Sequence, residues 1–181
     1  MRKLHEMVGI LPAVEPNASV VVENMVSEWS GLPFGELSVI LVLLRHLALL
    51  HQTHHWQAKG DPFYGDHLLF ERLYGGVSGE IDQIAEKAVG LSGPESVEMQ
   101  LQVSQLQRLL QGVGTSSTIP QSSELAQRPL AAEMNFIKSV EILMTMMQET
   151  GQMTKGLDNL LAGILDTHEG HVYLLKQRCN A

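Results

Sequence analysis

Five side chains in one stretch of this chain have the types and spacing of a metal site. His55 and His67 flank a Gly-Asp-Pro turn, and Glu71, Asp82 and Glu86 follow on a single helical pattern. Imidazole and carboxylate are nitrogen and oxygen donors of the kind that hold divalent transition metals. From Pro62 to Val89 the apolar residues Phe70, Tyr74, Val77, Ile81, Ile84 and Ala88 recur at the three-and-four step of a helix. His67, Glu71, Asp82 and Glu86 then share one stripe, within a sector of about 100°. Glu71 and Asp82 are nevertheless about 16 Å apart along the helix axis, because the rise is about 1.5 Å per residue. One ion cannot bridge that gap within one chain.

Pairing the helix antiparallel with its own copy removes the difficulty. His67 and Glu71 of one protomer then meet Asp82 and Glu86 of the partner subunit, and the crossing falls between residues 76 and 77. Gly75, Gly76 and Gly79 stand at that point. A glycine inside a helix costs about 1 kcal/mol relative to alanine, so three together call for a reason. Close approach of a second backbone supplies one, and implies a two-fold dimer with two sites, each built from both chains. The competing reading is a glycine kink beneath a solvated polar face.

The run HWQAKGDPFYGDH, then Glu71 four residues on, then EIDQIAEKAVGL, resembles the Dps family of mini-ferritins. Matched residue by residue, the resemblance implies a ferroxidase centre between two-fold-related subunits. One chain supplies His55, His67 and Glu71, and Asp82 and Glu86 come from the other. It implies an all-α, ferritin-like four-helix bundle with a short extra helix between the second and third long helices. It further implies a homo-oligomer, a dodecameric cage built from two-fold dimers, that oxidises Fe(II) with hydrogen peroxide, or with dioxygen, and stores Fe(III). The donor set suits iron, with zinc or manganese as substitutes. Imidazoles must be neutral to bind metal, so affinity is expected to fall below about pH 6. The alternative is a ferritin-like cage that acts as a DNA-binding or structural protein without ferroxidase activity.

The elements that must position these residues follow from the rest of the pattern. Residues 1–35 read as an irregular arm, punctuated by Pro12, Pro16 and Pro33, with one short helix over 19–29. The bundle occupies 36–178, with helices over 36–59, 62–89, 124–149 and 153–178 and a short one over 95–111. The first long helix is apolar nearly all round, as expected of one buried in an oligomer. Arg45 and His46 interrupt it short of the roughly 18 apolar residues of a membrane span. Trp56 is expected to pack the wall of the site. The short helix places Met99, Val103, Leu106 and Leu110 on one face, with glutamines opposite. Residues 112–122 read as a loop. The methionines Met144, Met146, Met147 and Met153 read as adaptable core filling.

A second candidate site lies on the last helix, where Asp166, His168, Glu169 and His171 cluster. Larger ferritins carry ExxH motifs in the bundle; here the helix offers HxxH instead. An additional ion on His168 and His171, with His46 or His51 across the bundle, stands against a buried, hydrogen-bonded histidine pair.

Composition is consistent with this. The chain has 181 residues, 44% of them hydrophobic and 5% aromatic, and a net charge of −8. Its length is enough for one domain with a sizeable core. The single cysteine, Cys179, excludes an internal disulfide framework and fits a cytoplasmic protein, the thiol itself reading as incidental. Residues 1–44 carry Arg2 and Lys3 against Glu6, Glu15, Glu23, Glu28 and Glu36. DNA affinity comes mostly from neutralising phosphates, which this arm cannot do. Gel retardation of plasmid DNA at low salt should therefore show free DNA at micromolar protein; a shift abolished by added salt would restore the DNA-binding reading.

Overall fold

The computed structural model describes residues 18–112 and 120–180. The reading of 1–17 as an irregular arm, and of 113–119 as loop, lies outside the described residues. Six α-helices are present among the described residues: α1 (Ala18–Glu28), α2 (Gly35–Gln57), α3 (Phe63–Ser92), α4 (Met99–Gly112), α5 (Gln127–Glu149) and α6 (Lys155–Cys179). There is no strand among the described residues. Two helical hairpins, α2 with α3 and α5 with α6, form a ferritin-like four-helix bundle, and α1 and α4 pack on its outside. The long connection from α3 to α5 carries α4, preceded by a separate 3-10 turn at Pro94–Val97. That turn delays the start of α4 relative to the helix expected from residue 95.

Local chemistry sets the helix ends. Phe34 lies in the left-handed region at φ 58° and turns the chain into α2. Gly35 follows because a Cβ there would stand 2.9 Å from Trp29 Cβ. Gly93, at φ 94°, closes α3, its N–H bonded to Val89 O. The Thr154 hydroxyl accepts from Leu157 N–H and caps α6. Between those two ends α3 is helical without a break, so its glycines do not interrupt it.

Helix α2 is buried on all sides from Gly35 to Leu44. That burial is achieved within one chain, not by an oligomer as the sequence implied. Val22 and Met25 of α1, and Trp29 just after it, join it in the main core, with Leu101 and Leu106 of α4 packed against that core. By length and mean hydropathy α2 is apolar enough to cross a membrane, in spite of Arg45 and His46, yet 78% of that apolar window is buried inside the bundle. Its hydrophobicity is that of a core helix.

Helix α4 departs in part from its amphipathic pattern. Met99 and Val103 are 71% and 60% exposed, whereas Gln102 and Gln105 are buried and Leu106 packs against the core. Those two glutamines face inward because buried donors and carbonyls need them. Gln102 Oε1 accepts from Arg45, Gln105 Oε1 accepts from Trp29 Nε1–H, and Gln105 Nε2 donates to Met25 O. The methionines behave as expected: Met147 is fully buried, and Met144, Met146 and Met153 pack against the core.

One ion pair ties the far ends of the fold together. The Asp66 carboxylate, in the first turn of α3, is almost wholly buried and takes two bonds from Arg178 near the end of α6, at 2.6 and 3.0 Å. Arg178 also donates to Ser122 O at 2.9 Å. This clamp holds the end of α3 that carries His67. Removing one partner of a buried pair leaves the other charge unpaired, which costs about 3 kcal/mol or more. Arg178→Ala should therefore lower stability in urea by about that much, with Arg178→Lys intermediate; a loss under about 0.5 kcal/mol would mean that the clamp is not structural.

Candidate metal centres

The five residues picked out by spacing fall in two places on one face. His55 and His67 meet, stacked with centroids 3.7 Å apart and planes at 25°. Each ring is fixed by the backbone of the other residue: His55 Nδ1–H donates to His67 O at 2.9 Å, and His67 Nδ1–H to His55 O at 3.2 Å. With Nδ1 protonated on both, each Nε2 is left as the lone-pair nitrogen, the form that ligates a metal. Phe63 stacks on the outer side of His67 at 5.2 Å. Glu71 is exposed one helical turn beyond His67. Asp82 and Glu86 are exposed further along α3, on the same side but too far to join the histidines within one chain.

The surroundings of this half-site are unusually apolar for a surface. Trp56 does not pack against the site in the protomer; it is 69% exposed, and Phe63, Tyr64 and Leu68 are exposed around the same turn. A Cβ added at Gly75 or Gly79 would meet nothing within 4 Å, so the glycine face of α3 is open.

A second cluster lies inside the bundle. The Glu133 carboxylate of α5 has no solvent exposure and takes bonds from three imidazoles. His51 Nε2–H of α2 donates to Oε1 at 2.7 Å, and His171 Nδ1–H of α6 to the same oxygen at 3.1 Å. His168 of α6 donates from Nδ1 to Oε2. The other nitrogen of His168, Nε2, donates to Glu80 Oε2 of α3 at 2.9 Å. Glu133, His168 and His171 each offer one ligand atom, and those atoms all lie within 4.8 Å of one another; they are the one such group of three among the described residues. Asp166 and Glu169, expected beside these histidines, are exposed and take no part.

Glu80 and Glu133 were not singled out from sequence. The signal available was an acid on the buried stripe: Glu133 between Leu130 and Phe136, and Glu80 between Val77 and Ile84. The cluster separates two apolar cores. Phe136 of the larger core lies 4.2 Å from His168, centroid to centroid, and Phe70 of the smaller lies 5.6 Å from His54 and 6.3 Å from His51.

Electrostatics follow from this geometry. Burial alone would raise the Glu133 pKa, but the bonds from His168, His171 and His51 outweigh it and hold the carboxyl far below its ordinary range. For His168, burial opposes the charge, and Glu133 and Glu80 overcome it, lifting the ring to about 9. His168 is therefore an imidazolium between two carboxylates. Burial pushes His51 down, with Glu133 partly opposing. Burial also pushes His46 and His54 down, each to about 4. His46 Nε2, His51 Nδ1 and His54 Nε2 are buried with no hydrogen-bond partner.

No protein-family model matches the chain. In sequence it is 27% identical over 167 residues to the DNA protection during starvation protein 2 of Bacillus anthracis, covering 88% of this chain and 94% of that protein. In structure it is similar to Dps from Thermosynechococcus elongatus, with a TM-score of 0.66 and 20% identity over 88% of this chain and 92% of that one. DpsC from Streptomyces coelicolor also gives 0.66, at 23% identity over 78% and 80% of the two chains. A Dps homologue from Halobacterium salinarum gives 0.67, at 15% identity over 88% and 81%.

The buried neutral histidines predict acid lability. His46 and His54 have folded-state values near 4 against 6.5 when free. Below 6.5 the unfolded chain takes up protons that the folded chain refuses, so stability is full above 6.5 and drains away as pH falls towards 4. Each ring accounts for about 3 kcal/mol of that loss. Urea midpoints measured from pH 7 to 4.5 on metal-free protein should fall, and His46→Phe should reduce the slope; a flat profile in the wild type would contradict this burial.

Proposed function

We propose that this chain, similar to the Dps proteins in sequence and sharing their ferritin-like bundle, is a mini-ferritin. It oxidises Fe(II) at a site shared by two-fold-related subunits and stores the Fe(III) in a hollow homo-oligomeric cage. The observation that carries the reading is the reciprocal hydrogen bonding of His55 and His67, which uses both Nδ1 atoms and leaves both Nε2 atoms as ready ligands. Glu71 completes the half-site, and Asp82 of the partner subunit and Glu86 of the partner subunit supply the other half. Support for that pairing comes from the open glycine face of α3 and the apolar rim of Trp56, Phe63, Tyr64 and Leu68. Exposed Met99 and Val103 on α4 give further apolar area for contact between copies.

Iron is the substrate and the cargo. The imidazoles favour capture of Fe(II), and the carboxylates favour the harder Fe(III) product. Two Fe(II) ions each give up one electron, and one hydrogen peroxide takes both electrons with two protons and leaves as two waters. Delivering the electrons as a pair avoids releasing a hydroxyl radical, which makes the protein protective against peroxide. The acid-rich surface and the net charge of −8 suit a container for cations.

The test is Fe(II) oxidation by hydrogen peroxide, followed by iron absorbance, in wild type and in a His67→Ala/Asp82→Ala variant whose assembly is checked by light scattering. The wild type should oxidise iron well above the buffer rate, and the assembled variant should be slower by roughly 10- to 100-fold. Equal rates in the two proteins would place the oxidation elsewhere. A wild type no faster than buffer would end the ferroxidase reading and favour a shell without enzymatic activity.

A further inference from the structure

We propose that the bundle interior holds a second metal site, separate from the intersubunit one, in which Glu133, His168 and His171 bind a single divalent transition-metal ion, with His51 and Glu80 hydrogen-bonded around them. The cluster draws on all four long helices: His51 from α2, Glu80 from α3, Glu133 from α5 and the two histidines from α6. Metal–nitrogen and metal–oxygen bonds of about 2.0–2.2 Å set ligand atoms about 3–4 Å apart. The ligand atoms of Glu133, His168 and His171 already lie within 4.8 Å of one another. Side-chain movements of about 1 Å close the remainder.

His168 faces Glu133 through Nδ1 and Glu80 through Nε2. An ion between His168, His171 and Glu133 would take the place of the protons that now join both histidines to that carboxylate. Glu80 and Glu133 together match the charge of such an ion. Two imidazoles in the donor set favour zinc, cobalt or iron(II) over magnesium or calcium. Phe70 and Phe136 wall the cluster from the apolar cores on either side and keep water out.

Within the protomer the cluster comes nearest to solvent beneath the glycine face of α3. A Cβ at Gly76 would stand 3.9 Å from His171 Nε2, so this histidine lies directly under a position without a side chain. Glu80, one turn along, and His171 are the two members of the cluster with slight solvent exposure. The centre does not depend on the intersubunit reading, since none of its ligands belongs to that site.

The test uses Co(II), whose visible bands report nitrogen and oxygen ligation, on the full-length protein. In the His67→Ala/Asp82→Ala background, which disables the intersubunit site, one Co(II) per chain should still bind. Adding Glu133→Gln and His168→Gln should abolish that binding and its visible bands. The second measurement needs no substitution: a crystal grown with Co(II) should show an anomalous peak bonded to Glu133 and His168. No Co(II) bound in the background variant, or density in the bundle without an anomalous peak, would mean that the cluster is only a hydrogen-bonded polar core. The crystal decides the matter if the fourfold variant does not fold.

Discussion

A carboxylate sealed from water has to be satisfied by protein donors, and the bundle is arranged around one that is. Glu133 receives His51, His168 and His171, and His168 passes the connection on to Glu80. Through these bonds all four long helices are fixed to one another at a single level. Apolar packing alone specifies such contacts loosely, because one methyl group replaces another at little cost. Hydrogen bonds to a buried charge are directional, and leaving one unmade is expensive. The cluster therefore sets the rotation and axial position of each helix, and the two apolar cores on either side supply the bulk of the stabilisation.

That fixed geometry is what gives α3 two working faces. Its inner face contributes Val77, Glu80 and Ile84 to the interior. Its outer face carries His67, Glu71, Asp82 and Glu86, with glycines between them. At the N-terminal end the Asp66–Arg178 clamp anchors the turn on which His55 and His67 lock each other in place. The surface half-site is thus held by three independent devices: the core, the clamp and the reciprocal backbone bonds. A site so held needs little reorganisation on binding a metal.

How much of this could be read beforehand depended on whether the information was local. The helices and the His55–His67 spacing are plain in the sequence from helical period and local pattern, and the ferritin-like bundle is implied by the resemblance to the Dps family. The interior cluster is held by side-chain bonds between residues up to 88 positions apart, and spacing cannot reveal such a meeting. Its only trace was an acid on an otherwise apolar stripe, at Glu80 and Glu133. The amphipathic pattern of α4 failed in part for a related reason. Amphipathic reading sends glutamines to water, but Gln102 and Gln105 were needed by Arg45, Trp29 and the Met25 carbonyl. Part of the cover over α2 comes from α1, a short helix whose docking onto the bundle leaves no periodic signature in the sequence.

The unbroken course of α3 from Phe63 to Ser92 carries a further implication, for which changes this protein can tolerate. Each residue added to or removed from a helix turns everything beyond it by about 100°. A change of length between His67 and Glu86 would swing one pair of outer ligands off the shared stripe, and would misplace Glu80 relative to one end of the helix. The segment is in effect a ruler: its side chains can be exchanged one at a time, but its length cannot vary.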